Sequence, residues 1–286
     1  MTGEASGERG TLYVVATPIG NLGDITVRAL EILRAVPLVA AEDTRLTKRL
    51  LDRYEIKVAT TSFHAQSGPE RAEVLLAHLR GGADLALVTD AGTPAVSDPG
   101  GELVSAWAAE GGAVVPIPGA SAVLAAVAGS GVAGPRWTFE GFLPRSGGDR
   151  RERLARIAAD DRGTVLFEAP SRVAATLADL AAACGEDRPG AVCRELTKIR
   201  EIFSRGLLGE LAESARDGRI PARGEFVLVV GQGVQAEGPG EAALEAARAE
   251  VDRLVAGGAA RGDAARRVAA TTGLPRRQLY GATPDD

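Results

Sequence analysis

Three groups of charged residues stand at the carboxyl ends of apolar, strand-like runs. Ala41-Glu42-Asp43-Thr44-Arg45 sets two acids beside an arginine after the run Pro37 to Ala41. Phe167-Glu168-Ala169-Pro170-Ser171-Arg172 closes the run Thr164 to Phe167, and Arg194-Glu195-Leu196-Thr197-Lys198 closes Ala191 to Arg194. Charged side chains in such positions carry binding and proton transfer in many enzymes. Each group also has an ordinary reading. Acids stabilise a helix N-terminus, Ser171 opens a helix from a capped turn, and the polar residues of 194–198 pair with one another. The helix reading accounts for Glu42 and Asp43 but leaves Arg45 without a role.

Three loops rich in glycine and proline follow other apolar runs: Thr17-Pro18-Ile19-Gly20-Asn21, Thr89-Asp90-Ala91-Gly92-Thr93-Pro94 and Pro116-Ile117-Pro118-Gly119-Ala120-Ser121. In an open α/β sheet, ligands bind beyond the carboxyl ends of the strands. Loops of this composition let backbone approach a ligand closely, so they point to a small-molecule site built mainly from main chain.

The elements that must position these residues alternate strand and helix over the first ~125 residues, the pattern of βαβ units and a largely parallel sheet. Helices are expected from Ile25, with Asp24 as cap and Ile25, Ala29, Ile32 and Leu33 as the apolar stripe, and over Thr44 to Tyr54, Pro69 to Leu79, Pro99 to Ala109 and Ala120 to Ala128. Val58 to Thr61 reads as an edge strand. Gly129, Gly131, Gly134 and Pro135 break the pattern. Beyond them the strands Thr138 to Phe142, Thr164 to Phe167, Ala191 to Arg194, Glu201 to Ser204 and Phe226 to Val230 mix with helices Arg150 to Ala158, Ser171 to Ala183 and Gly209 to Ala215. The expected organisation is a disordered lead over 1–10, an α/β domain over 11–130, a second α/β domain with a mixed sheet over 136–234, and a helical extension over 241–286 reached by a linker at 235–240. In the extension, Asp263 to Ala270 and Pro275 to Gly281 flank a short glycine-containing turn, the spacing of a helix-turn-helix-like hairpin. Arg266, Arg267, Arg276 and Arg277 cluster around that turn, as a nucleic-acid contact or as a structural cap.

The 286-residue chain is 45% hydrophobic but only 4% aromatic, so its core is aliphatic. No apolar run reaches the roughly 18 residues needed to span a membrane, and the first ten residues lack the apolar segment of a secretory signal. Cys184 and Cys193 form neither a disulfide framework nor a metal-ligand pattern, which leaves a cytoplasmic, metal-free protein. Gly129-Ser130-Gly131-Val132-Ala133-Gly134 matches G-x-G-x-x-G but follows a helix and runs into Pro135, so it is not a dinucleotide site. No Walker A sequence is present. The net charge of −5 conceals segregation: 144–156, 194–205 and 261–277 carry +3, +2 and +4, which leaves −14 on the rest. Any one such run is usually a solvated helix face; three on an acidic chain favour a localised polyanion patch.

Seven segments, in order, carry a resemblance: Leu12 to Thr26, Ala41 to Arg45, Leu87 to Gly100, Pro116 to Ala122, Phe139 to Arg145, Phe167 to Arg172 and Arg194 to Lys198. Together they resemble the tetrapyrrole-methylase-like (class III) S-adenosylmethionine-dependent methyltransferases, and within them the ribosomal RNA small subunit methyltransferase I family. Ser171 stands where that family usually carries histidine.

The resemblance implies two α/β domains with S-adenosylmethionine in the cleft between them, a homodimer, and methyl transfer to a cytidine ribose 2′-hydroxyl of 16S rRNA in the small ribosomal subunit. Carried over residue by residue, Pro18, Ile19, Asp90, Thr93, Ser121 and Ala122 line the donor site, and Phe167, Cys193, Glu225 and Phe226 close it. Glu42, Asp43, Arg45, Glu168 and Lys198 surround the acceptor, with Lys198 a base only where its pKa is depressed. Arg45, Arg145, Arg172 and Arg194 hold phosphates. Two rival readings keep the fold: a methyltransferase acting on a corrinoid or porphyrin, and a non-catalytic ribosome-assembly factor.

Overall fold

The computed structural model describes residues 9–233, 241–272, 274 and 276–279. They fall into two compact units, Met1–Gly233 and Val234–Asp286. The first unit holds two five-stranded sheets. Strands β1 (Thr11–Val15), β2 (Leu38–Ala41), β3 (Ala59–Ser62), β4 (Leu85–Val88) and β5 (Ala113–Ile117) form the first, in the order β3-β2-β4-β1-β5, with every pair parallel. Side chains alternate between its faces. Leu85 and Leu87 of β4 point toward Leu75, Leu79, Leu103 and Trp107 of α3 (Pro69–Arg80) and α4 (Gly101–Ala109). Ala86 and Val88 point the other way, toward Ala29, Leu33 and Leu51 of α1 (Val27–Ala35) and α2 (Thr44–Arg53). Burial on both faces is why this strand reads as a continuous apolar run rather than an alternating one.

The second sheet contains β6 (Trp137–Phe142), β7 (Gly163–Glu168), β8 (Pro189–Arg194), β9 (Ile202–Leu207) and β10 (Phe226–Val230), in the order β6-β7-β10-β8-β9. Only β6 and β7 pair in parallel; the other pairs are antiparallel. Leu154, Ile157, Leu177, Leu180 and Leu211, from α6 (Gly148–Ala159), α7 (Val173–Cys184) and α8 (Leu208–Arg216), cover one face. The opposite face, Val165, Ala191, Cys193, Val227 and Val229, is covered by α5 (Ala122–Ser130) through Val123 and Ala126. Thus α5 follows the last strand of the first sheet but packs on the second. Its carboxyl end is held there: Arg205 Nε donates to the Ser130 carbonyl at 2.9 Å, and the Phe203 ring fills the space a side chain would need at Gly129.

Two local expectations need correction. Helix α1 is capped by Thr26, whose hydroxyl accepts from Ala29 N at 3.1 Å. Asp24 instead lies in a 3-10 turn (Leu22–Asp24), and the extended backbone of Ile25 separates that turn from the helix. Of the lead expected over 1–10, residues 1–8 lie outside the described residues. Arg9 and Gly10 are fixed, with Gly10 N donating to the Leu79 carbonyl at 2.8 Å.

In the second unit, α9 (Glu241–Ala256), α10 (Arg261–Thr272) and a 3-10 turn (Arg276–Leu279) enclose a small core of Ala247, Val251, Ala264, Ala265, Val268, Leu274 and Leu279. The expected linker over 235–240 and part of the hairpin expected over 275–281 lie outside the described residues. No helix among the described residues is long and apolar enough to cross a membrane.

Candidate active site

The loops after β1, β2 and β4 are tied to one another by main-chain and carboxylate hydrogen bonds. Thr17 and Gly92 exchange N–H···O bonds of 2.8 and 3.0 Å across the loops after β1 and β4, and the Thr17 hydroxyl donates to the Thr89 carbonyl at 3.0 Å. Asp90 Oδ1 accepts from Asp43 N at 2.9 Å, and Glu42 Oε2 accepts from Asp90 N at 3.2 Å. The β1 loop also meets the second sheet. A side chain at Gly20 would run into Lys198 and the Thr197 hydroxyl, so glycine permits the contact. That hydroxyl is buried without a hydrogen-bond partner.

Among the described residues, five other than glycine have positive φ, and four of them lie in the loops after β4 and β8: Ala95 (67°), Ser97 (63°), Glu195 (54°) and Thr197 (64°). Left-handed backbone is costly for residues with a Cβ, most of all a β-branched one. Such strain persists where surrounding structure enforces it, and it concentrates at ligand sites.

Between the loops and the second sheet lies a cavity of ≈ 410 Å³, within the range of small-molecule sites of about 300–1,000 Å³. Ile19, Gly92, Thr93, Ser97, Asp98, Ser121 and Ala122 line one wall, and Phe142, Phe167, Leu196, Glu225 and Phe226 line the other. Phe167 anchors an aromatic group, with Phe139 edge-on at 4.9 Å and Phe142 at 5.6 Å between ring centroids. At the start of α5 the Ser121 hydroxyl caps Leu124 N at 3.4 Å, so the positive end of that helix meets the cavity. Ser97 and Asp98 also border a second cavity of ≈ 630 Å³, whose wall includes Glu42, Pro69 and Glu102. Burial pushes the Asp98 carboxyl up to about 6; the charges of Glu42 and Asp90 add to the rise and the Thr89 hydroxyl opposes it.

Of the residues expected at a donor site, the cavity brings together Ile19, Thr93, Ser121, Ala122, Phe167, Glu225 and Phe226. Pro18, Asp90 and Cys193 are not in its wall. Asp90 is committed to Asp43, as above. Cys193 is fully buried behind the wall, packed with Ile19, Leu196 and Val227; burial pushes its thiol up to about 12. Asp98, not singled out from the sequence, lies in the cavity wall.

The charged residues expected around an acceptor are dispersed. Glu42 faces the second cavity. Asp43 caps α2 and grips Arg45, accepting from its Nη2 at 2.7 Å; the Arg45 guanidinium holds that carboxyl down at about 2. Lys198 pairs with Glu195 at 2.9 Å and Glu225 at 3.0 Å. Burial alone would lower its pKa, but the two carboxylates outweigh burial and raise it. This pairing works against the depressed pKa a lysine base requires.

Glu168 is fully buried; its carboxylate accepts from Ala169 N (2.7 Å), the Thr176 hydroxyl (2.6 Å) and Arg172 Nη2 (3.0 Å), and forms an ion pair with Arg172 Nε at 2.9 Å. It holds Arg172, and it also lines the ≈ 410 Å³ cavity beside Phe167 and Ala169. Arg172 in turn donates to the Leu143 carbonyl at 2.7 Å, Arg150 to Pro144 at 2.9 Å, and Arg153 to Glu140 at 3.0 Å. Three arginines thus pin the segment that carries Phe142 into the cavity and leaves Arg145 exposed. Arg194, also expected on phosphate, is buried and donates to the Arg223 carbonyl at 2.7 Å. Arg45, with 88% of its side chain exposed, and Arg145 are the two expected phosphate ligands that face solvent.

Residues 11–212 match the family of Tetrapyrrole (Corrin/Porphyrin) Methylases. The chain is 46% identical over 271 residues to the ribosomal RNA small subunit methyltransferase I of Synechocystis sp., an alignment covering 95% of this chain and 96% of that protein. Among solved structures it is similar to a cobalt precorrin-4 methyltransferase of cobalamin biosynthesis, with a TM-score of 0.61 and 21% identity over 77% of this chain and 94% of that one. It is also similar to the uroporphyrin-III C-methyl transferase of Thermus thermophilus complexed with S-adenyl homocysteine, with a TM-score of 0.57 and 20% identity over 79% of this chain and 99% of that one. At these identities the two structures establish the fold.

Proposed function

Since the chain belongs to the ribosomal RNA small subunit methyltransferase I family of the tetrapyrrole methylases, we propose that it uses S-adenosylmethionine to methylate the ribose 2′-hydroxyl of a cytidine in 16S rRNA of the small ribosomal subunit. The observation that carries this reading is the charge pattern of the ≈ 410 Å³ cavity. Its walls are largely apolar, the lysine beside them is neutralised by Glu195 and Glu225, and the Asp98 carboxyl enters it from the β4 loop. Such a site suits a ligand that is cationic and partly apolar. When bound, S-adenosylmethionine supplies an electrophilic methyl on a sulfonium leaving group.

The residues present fit that group. Asp98 offers a carboxylate to its positive charge, and the amides at the start of α5 suit a carboxylate. Phe142 and Phe167 exclude water, and Thr93 and Ser97 bring hydroxyl groups to the wall as polar partners. The cavity places bound groups, and such orientation is a large part of rate acceleration.

A ribose hydroxyl is a weak acid and must lose its proton as it attacks. Lys198 is paired with two carboxylates, so the carboxylates bordering the two cavities, among them Asp98, Glu168 and Glu42, are the proton acceptors the cleft offers. Arg45 and Arg145 supply solvent-facing charge for backbone phosphates, which position RNA without reading its sequence. The family resemblance extends to a homodimer in the cytoplasm; sedimentation equilibrium of the purified chain tests the dimer, and a monomer at micromolar concentration would remove it.

The test is transfer of labelled methyl to small ribosomal subunits lacking the modification, followed by digestion to nucleosides and mass analysis. The expected product is 2′-O-methylcytidine. Incorporation into a base or into uridine would overturn the acceptor, and no incorporation with donor binding intact would turn attention to a tetrapyrrole.

A further inference from the structure

The unit formed by α9, α10 and the 3-10 turn Arg276–Leu279 takes no part in the cavity, whose lining residues all lie within 19–227. Its small core ties α9 to α10 and to Leu274 and Leu279, and its charges are segregated. Helix α9 contains Glu245, Glu250 and Asp252. Its own arginines are engaged: Arg253 pairs with Glu250, and Arg248 Nε donates to the Gln278 carbonyl at 2.9 Å. From 261 to 277 there are five arginines and one acid, Asp263. Arg261 pairs with Asp252 of α9 at 2.6 Å and Arg266 with Asp263 at 3.2 Å. Arg266, Arg267, Arg276 and Arg277 are exposed.

We infer that this arginine face is a second grip on the substrate RNA, docking on its backbone phosphates. The inference rests on the reading above that the substrate is ribosomal RNA. Guanidinium forks match phosphate oxygens in pairs. A protein partner would call for apolar anchors, and no large exposed hydrophobic side chain occurs among the described residues of this unit. The body of the enzyme also needs such help. Arg172 and Arg194 are occupied by its own carboxylate and carbonyl groups, so two of the four arginines expected on phosphate are unavailable there.

The test uses the full-length chain with Arg266, Arg267 and Arg277 all replaced by alanine, beside a version with all three replaced by lysine. Methyl transfer to small subunits and co-sedimentation with them are measured between about 50 and 200 mM salt. Loss of about three phosphate contacts is expected to weaken subunit binding about tenfold or more and to lower the log–log salt slope by about 2. The turnover at saturating subunit and the calorimetric affinity for S-adenosylmethionine should not change. The lysine version should recover most of the salt slope. Unchanged KM, co-sedimentation and slope in the alanine version would overturn the inference, as would an equal defect in the lysine version. Failure of the rRNA reading looks different. Methyl would then not reach RNA from the unaltered chain, and co-sedimentation alone would decide the arginine face.

Discussion

At Asp98, burial and neighbouring charge set the protonation state, and a cationic ligand is expected to reverse it. Its carboxyl sits at about 6 in the ligand-free protein, and only the ionised form attracts a sulfonium or ammonium. Affinity for S-adenosylmethionine should therefore be flat above about pH 7 and fall as pH drops through about 6, by as much as tenfold per unit. Calorimetry across that range reads the slope, and Asp98→Asn should remove it while weakening binding by about tenfold or more. For folding the sign is opposite. A carboxyl whose pKa is raised on folding lowers stability at neutral pH, and that cost fades as pH falls from about 6 toward 4. Ligand-free Asp98→Asn should melt higher, by the equivalent of about 1 kcal/mol after allowance for partial exposure. At Arg45, replacement by alanine should raise KM for subunits and leave donor affinity within about twofold, since the side chain projects into solvent and touches no cavity residue. Residues inside and outside the cavity wall were visible in the sequence only as members of loops. Asp90 was expected from the family resemblance, and Asp98, eight residues on in the same loop, was not. The Asp43 amide that captures Asp90 comes from a loop 47 residues away, which no local pattern reveals.

Elements impose what the residues cannot choose for themselves. The segment after β6 is held by Arg150, Arg153 and Arg172 through its carbonyls, and Arg172 is held by the fully buried Glu168. Arg172→Ala leaves that carboxylate without its cation and is expected to cost about 3–5 kcal/mol in urea unfolding; Glu168→Gln with Arg172 intact should cost less. Thr197 is a β-branched residue with φ of 64°. Thr197→Gly should raise stability by about 1 kcal/mol through relief of backbone strain, yet weaken donor binding, because it loosens the loop that seats Lys198 and Leu196. A gain in stability with unchanged affinity would show that the strain serves nothing at the cavity. Most strands and helices were legible because periodicity and capping are local. The start of α1 was not, since Asp24 and Thr26 are both good caps and the extended Ile25 between them decides in favour of Thr26. Nor could the sequence reveal that α5 leaves its own sheet, because its apolar residues would suit either face.

On the scale of the whole molecule, the cavity and the arginine-rich helical unit occupy separate stretches of chain. A truncation after Gly233 should keep donor affinity within about twofold, since every cavity residue remains and the excised part has its own core. A larger loss would mean that the C-terminal unit supports the body. The parallel and mixed sheets were readable from alternation and from the glycine break near 129–135, while the charge segregation was readable by counting. Which arginines face solvent was not, because Arg172 and Arg194 are engaged by partners supplied by the fold.

Helix α5 gives the cleft a common strut. Its first residues form part of the wall, its apolar face lies on the second sheet, and Arg205 fastens its far end. Swinging one sheet away from the other would leave Val123 and Ala126 seated on Val165 and Val229, so α5 moves with the second sheet and a hinge falls in the segment 118–121 that joins it to β5. The loops at 91–98 and 195–198 line the cavity with the start of α5 and are the segments a bound ligand touches outside the sheets. In amide hydrogen exchange, α5 should be among the slowest segments with or without S-adenosylmethionine, and the slowing caused by the ligand should be confined to those loops.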